Sequence, residues 1–162
     1  MARVLIVGCG CRGRRLAAAL AEAGHAVRGT TRSPAGCEAI EGAGADPALA
    51  DPDRLATLLP HLEGASVMCW LMGTARGESD AVAALHGPRL ESIAAKIVDS
   101  HVRGLVYEAA GTVPAEVLAE GAHAVRRVGE ANRVPVEVVE SDPGDLEAWK
   151  RAMVAAVERV LA

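Results

Sequence analysis

Aromatic residues are scarce in this chain: they make up 2% of it, and the sequence has no Phe, one Tyr and two Trp. Apolar residues still account for 51% of the chain, so Val, Leu, Ile and Ala must fill the core. Small aliphatic side chains suit helices that pack closely on a sheet. At 162 residues the chain has the length of one ordinary domain, and we expect a single domain over residues 1–162.

The sequence also lacks an excess of positive charge and a long apolar run. Its 17 Lys and Arg stand against 21 Asp and Glu, which leaves no positive field to attract a nucleic acid. No segment approaches the roughly 20 apolar residues of a membrane helix. The apolar run at 4–7 leads into glycines and not into a signal-peptide cleavage site. We therefore expect a cytoplasmic protein with no nucleic-acid partner and no membrane partner.

Ligand spacing for a metal ion is missing as well. The cysteines lack the paired spacing of a zinc site, and two of them lie in a glycine-rich loop that a disulfide would distort. The histidines are scattered in the same way. We expect reduced thiols and no metal site. The residues concerned are Cys9, Cys11, Cys37, Cys69, His25, His61, His86, His101 and His123.

What the sequence does contain is an alternation of two patterns. Short apolar runs bounded by Gly or Pro alternate with segments of helical period, which is typical of a parallel sheet wrapped by helices. We predict an α/β fold with a doubly wound parallel sheet of about six strands, a Rossmann fold. The predicted strands are 3–7, 26–31, 43–46, 66–71, 104–107 and 134–139. The predicted helices are 12–23, 35–41, 52–62, 78–100, 114–131 and 145–161, with a bend or break at Gly87-Pro88.

Residues 8–13 read GCGCRG and match the dinucleotide-binding pattern G-x-G-x-x-G between a predicted strand and a predicted helix. In such a loop the first glycine permits a tight turn, the second admits the pyrophosphate, and the third lets the helix pack closely. The helix N-terminus then offers free amides to the phosphates. The residues of this loop that we expect to bind a dinucleotide are Gly8, Gly10, Cys11, Arg12 and Gly13.

Three arginines, Arg12, Arg14 and Arg15, stand at the start of the same helix. Positive charge there opposes the helix macrodipole and therefore needs an explanation. A nearby phosphate would supply one. The alternative is that Arg14 and Arg15 are solvated.

The residue that favours NADP over NAD is Arg32. An NAD site usually places Asp or Glu about 20 residues beyond the glycine pattern, to hold the ribose hydroxyls. Arg32 stands there instead, with the hydroxyls of Thr30, Thr31 and Ser33 beside it. A guanidinium with hydroxyl neighbours fits a 2′-phosphate through forked, charge-assisted hydrogen bonds. The alternative is a plain surface arginine at a strand end.

With GCGCRG at 8–13, GTTRS at 29–33 and ADP at 50–52 in this order, the chain resembles the extended and atypical short-chain dehydrogenase/reductases. That group contains sugar-nucleotide epimerases and reductases. The resemblance implies that Asp51 contacts adenine, although Asp51 followed by Pro52 also reads as a plain helix N-cap. It implies further that Leu71, Met72 and Gly73, at the end of the fourth strand, lie over the cofactor.

The resemblance also implies self-association. Enzymes of this group commonly pair through the helices that follow strands four and five, so we expect a homodimer. The candidate residues on those helices are Leu90, Ile93, Ile97, Val117 and Val125.

The chain departs from the family where catalysis takes place. Family enzymes carry a Ser or Thr after the fifth strand and then a Tyr-x-x-x-Lys, whereas this chain has Ala109-Ala110, and Tyr107 is followed four residues later by Gly111. We therefore assign no catalytic residue and expect a minimal form without the Tyr-x-x-x-Lys site and without the substrate lobe. Glu108 and Thr112 are the polar groups expected near the nicotinamide, unless Glu108 merely pairs with Arg103.

Two functions are compatible with these residues. The first is an NADP-dependent oxidoreductase or epimerase-like enzyme acting on an unidentified small molecule. The second is a catalytically silent dinucleotide-binding sensor or partner subunit, which the missing tyrosine and lysine favour. A third interpretation is a binder of another adenine nucleotide or of flavin.

Overall fold

A computed structural model describes residues 2–162, and within them six strands alternate with seven helices. The strands are β1 (Arg3–Val7), β2 (Ala26–Thr31), β3 (Asp46–Leu49), β4 (Val67–Trp70), β5 (Gly104–Glu108) and β6 (Val136–Val139). The helices are α1 (Cys11–Glu22), α2 (Pro34–Gly42), α3 (Leu55–Leu62), α4 (Ser79–His86), α5 (Pro88–Val98), α6 (Ala115–Asn132) and α7 (Leu146–Leu161). The predicted break at Gly87 is a complete separation of α4 from α5.

All neighbouring strands pair in parallel, in the order β3-β2-β1-β4-β5-β6. The chain winds outward from β1 to β3, returns to β4 beside β1, and winds outward again to β6. This topology confirms the predicted doubly wound sheet. It also creates a switch point between β1 and β4, the position at which open α/β sheets bind ligands.

Both faces of the sheet are buried, as in other parallel sheets. In β1 the side chains alternate: Val4 and Ile6 pack against α1 and α7, whereas Leu5 and Val7 face α3, α5 and α6. In α7 the residues at steps of three or four are buried against the first face of the sheet. Those residues are Trp149, Met153, Val157 and Val160. Between residues 2 and 162, no helix combines the length and the apolar character needed to cross a bilayer.

The third strand lies three residues later than the prediction of 43–46. It runs from Asp46 to Leu49 and includes Pro47. β3 is an edge strand that pairs with β2 alone, and a proline is tolerated where one side of the strand has no partner. Its first residue is also held by an ion pair of 3.0 Å between Arg28 Nε and Asp46 Oδ2.

The interpretation of Asp51 as a helix N-cap is wrong. The helix begins at Leu55 and its N-cap is Arg54. Asp51 instead closes a turn, since its Oδ1 accepts a hydrogen bond of 2.9 Å from the amide of Asp53. An aspartate that bonds the backbone two residues on stabilises a turn at the expense of a helix start.

The residues predicted to form a dimer surface are not available for it. Leu90, Ile93, Ile97 and Val125 are buried against the sheet, and Val117 is partly buried under α4. Their helical period marks the face that packs inward. Across residues 2–162, Leu49 is the only large hydrophobic residue that is exposed. Self-association therefore stays a prediction, without the residues that we expected to carry it.

Candidate functional site

A cleft opens at the switch point, where β1, β2 and β4 end. Its cavity has a volume of about 430 Å³ and lies between the glycine loop, the end of β2 and the loop after β4. Nine of the residues predicted to bind the cofactor line it: Gly8, Gly10, Cys11, Arg12, Gly13, Thr31, Arg32, Leu71 and Met72. The topology thus brings most of the predicted site to one place.

The three glycines of the loop differ in what requires them. Gly8 has a φ of +85°, and a Cβ there would lie 2.5 Å from the carbonyl oxygen of Leu71. A Cβ on Gly13 would lie 3.2 Å from the carbonyl oxygen of Gly8, where the helix packs on the strand. Gly10 has an ordinary φ of −84°, and a Cβ there would meet no atom of the described residues within 4 Å. The fold requires the first two glycines, whereas the space above Gly10 is left open.

The glycine loop is fixed to β2 by Thr30. The Thr30 carbonyl accepts a hydrogen bond of 3.0 Å from the amide of Cys9, and its hydroxyl accepts one of 3.1 Å from the amide of Gly8. Thr30 is buried, and its hydroxyl orients the loop from beneath the cleft wall. The N-terminus of α1 is left open: no side chain in the described part of the chain caps it. Its first amides and the positive end of the helix dipole face the cleft.

Cys9 and Cys11 occupy different environments. Cys9 is buried under the loop, where desolvation raises the pKa of its thiol to about 11. Cys11 is exposed on the cleft wall. The two cysteines of the C-x-C spacing therefore do not form a pair of accessible thiols, because Cys9 is buried and stays protonated.

Three arginines give the cleft a positive charge. Arg14, Arg32 and Arg76 line it, and none of them forms an ion pair with any residue between 2 and 162. The acidic residue on the wall, Asp53, lies 3.6 Å from the guanidinium of Arg89. Because the whole chain carries a net charge of −4, this local excess of positive charge favours an anionic ligand.

Three predicted residues support the cleft without lining it. Ser33 caps α2, since its Oγ accepts a hydrogen bond of 3.3 Å from the amide of Gly36. Asp51 closes the turn before α3. Gly73 packs against Ala110, where any side chain would collide with the carbonyl oxygen. The predicted contacts of these three residues with a cofactor stay predictions.

Glu108, at the end of β5, does not pair with Arg103. It is fully buried and accepts hydrogen bonds from Arg12 Nη1 at 2.6 Å, Trp149 Nε1 at 2.8 Å and the amide of Gly73 at 2.9 Å. Arg12 Nη2 is a fourth donor, at 3.3 Å. Burial raises the pKa of Glu108, and the positive charge of Arg12 acts in the opposite direction. All four partners donate, so the group that they bind is the ionised carboxylate.

The positive charge of Arg12 therefore has a partner within the protein, the carboxylate of Glu108. Its guanidinium also donates a hydrogen bond of 2.6 Å to Thr74 Oγ1 and lies 5.1 Å from the centre of the Trp149 ring. The expected phosphate explanation for a positive charge at this helix start remains for Arg14, which lines the cleft unpaired. Arg15 is exposed and is not part of the cleft wall. This position agrees with the alternative that its side chain is solvated.

The tyrosine is a core residue, as its place in a strand predicts. Tyr107 is fully buried, and its hydroxyl lies 2.6 Å from His86 Nδ1. His86 Nε2 lies 2.9 Å from the carbonyl oxygen of Met72, which only accepts, so Nε2 carries the proton and Nδ1 accepts from the phenol. Burial raises the pKa of Tyr107 and lowers the pKa of His86, and both side chains are neutral. Neither side chain lines the cleft, and the exposed Thr112 does not line it either.

Sequence reasoning did not identify Thr74 and Arg76 individually. Both stand in the loop GTARG at 73–77, which follows β4. The available signal was an arginine between two glycines directly after a strand that ends at the switch point.

No family model and no curated protein sequence matches this chain. Solved structures do. The UDP-glucose 4-epimerase of Thermotoga maritima, solved with UDP-glucose, gives a TM-score of 0.70 at 10% identity, over 85% of this chain and 54% of that one. The fold is shared. A triphenylmethane reductase of Citrobacter sp., complexed with NADP(H), gives 0.65 at 14% identity, over 85% of this chain and 49% of that one.

A third similar structure is the yeast methylglyoxal/isovaleraldehyde reductase complexed with NADPH, with a TM-score of 0.64 at 13% identity, over 86% of this chain and 57% of that one. The chain thus spans about half the length of each of these proteins. The likeness confirms the fold that the sequence resemblance implied.

Proposed function

We propose that residues 1–162 form an NADP(H)-binding domain that holds the dinucleotide in the cleft at the switch point. The observation that carries this proposal is the open space above Gly10. Nothing in the fold explains a glycine at this position, since its φ is ordinary and a side chain would meet no neighbouring atom of the described residues. A pyrophosphate that approaches the backbone at the N-terminus of α1 does explain it.

The choice of NADP over NAD rests on charge. Arg32 is exposed at the end of β2, on the cleft wall, and the sequence from 23 to 37 contains no Asp or Glu that could hold ribose hydroxyls. With Arg14 and Arg76, it offers three unpaired guanidinium groups within the described residues to a ligand that carries three phosphate groups. Two of the structures with this fold were solved with NADP(H) or NADPH. These observations support the binding of a nicotinamide dinucleotide in the cleft. They also support a contact between Arg32 and the 2′-phosphate that distinguishes NADP from NAD.

When bound, a nicotinamide would supply hydride transfer, so an oxidoreductase or epimerase-like enzyme with an unidentified substrate is the first candidate. A specific observation favours a second candidate, a catalytically silent sensor or partner subunit. The phenol of Tyr107 is buried against His86 and away from the cleft, and the carboxylate of Glu108 is occupied by four donors. The two candidates differ in one measurement, the substrate-dependent oxidation of NADPH.

The experiment that tests the binding site compares two glycines. Gly10→Val fills the open space of the cleft, whereas Gly42→Val fills an equally open, exposed position at the far end of α2. Calorimetric titration with NADPH should give native affinity for the Gly42 variant. The Gly10 variant should lose about 100-fold or more, equivalent to ~2.7 kcal/mol. A folded Gly10→Val protein that binds NADPH as tightly as the wild type would place the ligand elsewhere.

A further inference from the structure

The Arg12 side chain lies across the carboxyl edge of the sheet. It starts on the first turn of α1 and donates to Thr74 in the loop after β4 and to Glu108 at the end of β5. The ring of Trp149, on α7, packs against its guanidinium. Arg12 and Thr74 belong to the cleft wall, whereas Glu108 and Trp149 do not. The hydrogen bond between Arg12 and Thr74 thus joins the first turn of α1 to the loop after β4 across the cleft wall.

A second cavity lies at the same edge of the sheet, beside β5 and β6, which follow β4 in the strand order. It has a volume of about 500 Å³ and is lined by residues that follow β5 and β6, among them Ala109, Ala110 and Glu140. The two cavities have no lining residue in common. A dinucleotide at a switch point extends across it, with one half on each side. In the proposed site the adenosine half lies toward β2 and β3, so the nicotinamide half extends past Arg12 and Thr74 toward β5.

The hydrogen bonds of Arg12 differ in strength. Those to Glu108 join a cation to a buried carboxylate, whereas the one to Thr74 joins it to a neutral hydroxyl. Bonds between two ionised groups are the stronger. If Arg12 left Glu108, the buried carboxylate would lose its counter-charge, which is strongly unfavourable. The bond to Thr74 is therefore the one that gives way when a ligand extends toward β5.

We propose that the Arg12–Thr74 hydrogen bond bars the nicotinamide half of the cleft, and that a dinucleotide enters this half only when Arg12 leaves Thr74 while staying paired with Glu108. This inference rests on the proposed NADP(H) site. Thr74 is then a specificity residue. Its hydroxyl weakens the binding of a whole dinucleotide and leaves the binding of the adenosine half alone unchanged.

The test uses two variants and two ligands. Thr74→Val removes the hydroxyl and keeps the shape, and Thr74→Ser is the control that keeps the hydroxyl. Each is titrated calorimetrically with NADPH and with adenosine 2′,5′-bisphosphate, which represents the adenosine half. In Thr74→Val, NADPH should bind about tenfold more tightly, equivalent to ~1.4 kcal/mol. The bisphosphate should change by less than about twofold, since Arg12 keeps its charge partner, and Thr74→Ser should behave as the wild type.

Two results would overturn the inference alone: an unchanged ratio of the two affinities in Thr74→Val, or a weaker binding of NADPH, which would make the hydroxyl a direct ligand contact. Failure of both ligands to bind the wild type would instead overturn the proposed function, and this inference with it. The outcomes are distinct because the bisphosphate has no nicotinamide half, so its affinity does not depend on the hydrogen bond between Arg12 and Thr74.

Discussion

Replacing Glu108 by glutamine changes one atom of a buried group whose four partners are all donors. Oε1 accepts from the amide of Gly73 at 2.9 Å and from Arg12 Nη2 at 3.3 Å. Oε2 accepts from Arg12 Nη1 at 2.6 Å and from Trp149 Nε1 at 2.8 Å. Whichever way the amide of Glu108→Gln turns, its NH2 group faces two N–H donors. The variant therefore loses two accepted hydrogen bonds, and Arg12 loses its counter-charge.

The expected loss is large for a conservative substitution. A hydrogen bond to a charged group contributes about 1.5–3 kcal/mol. Breaking a buried ion pair by removing one charge costs about 3–5 kcal/mol. We therefore expect the free energy of unfolding to fall by about 3–5 kcal/mol, out of the ~5–15 kcal/mol typical of a domain. Urea unfolding followed by circular dichroism measures this difference directly.

The matched control is Glu137→Gln. Glu137 also pairs with an arginine, Arg159, at 3.0 Å, but this pair is exposed to solvent. Surface ion pairs contribute about 0–1 kcal/mol, so this variant should unfold almost as the wild type does. A loss below about 1 kcal/mol in Glu108→Gln would contradict the expected effect, because it would mean that the buried carboxylate does not hold the four donors together.

Three further predictions concern the cofactor, pH and catalysis. Arg32→Ala should remove most of the preference for NADPH over NADH, a loss of about 1.5–3 kcal/mol in calorimetric titration, whereas Arg15→Ala, outside the cleft, should keep it. Burial lowers the pKa of His86 from 6.5, so the unfolded chain protonates first as the pH falls. The stability that neutral His86 contributes is complete above about pH 6.5 and is lost below it, by up to ~1.4 kcal/mol per pH unit. His86→Gln should flatten this fall, and parallel losses in the two proteins would contradict the assignment. Tyr107→Phe should leave any activity within about tenfold, because the phenol does not reach the cleft; abolished turnover with intact NADPH binding would make it catalytic.

The sequence predicted the sheet and the glycine loop because both are encoded locally. Alternating apolar runs identified five of the six strands to within two residues, and the order of strands and helices implied the doubly wound topology. The same patterns placed Arg32 at the end of β2, on the cleft wall. Such features depend on neighbours along the chain and on the rule that parallel strands end at one edge.

Contacts between distant parts of the chain were not predictable in this way. Arg12 and Glu108 are 96 residues apart, and nothing in the spacing of either residue indicates the other. Glu108 therefore looked like a group for the nicotinamide, when its carboxylate holds Arg12, Trp149 and Gly73 together. The apolar residues of α5 failed for a related reason, because a helical period does not say whether the face that it marks packs on the sheet or on a second subunit.

Binding of NADP(H) in the cleft is tested most simply by calorimetric titration of the wild-type protein with NADPH and, separately, with NADH. We expect saturable binding of one NADPH per chain and a weaker binding of NADH, by about tenfold or more, equivalent to ~1.4 kcal/mol. Equal affinities would contradict the role of Arg32, and the absence of binding by either dinucleotide would contradict the site itself.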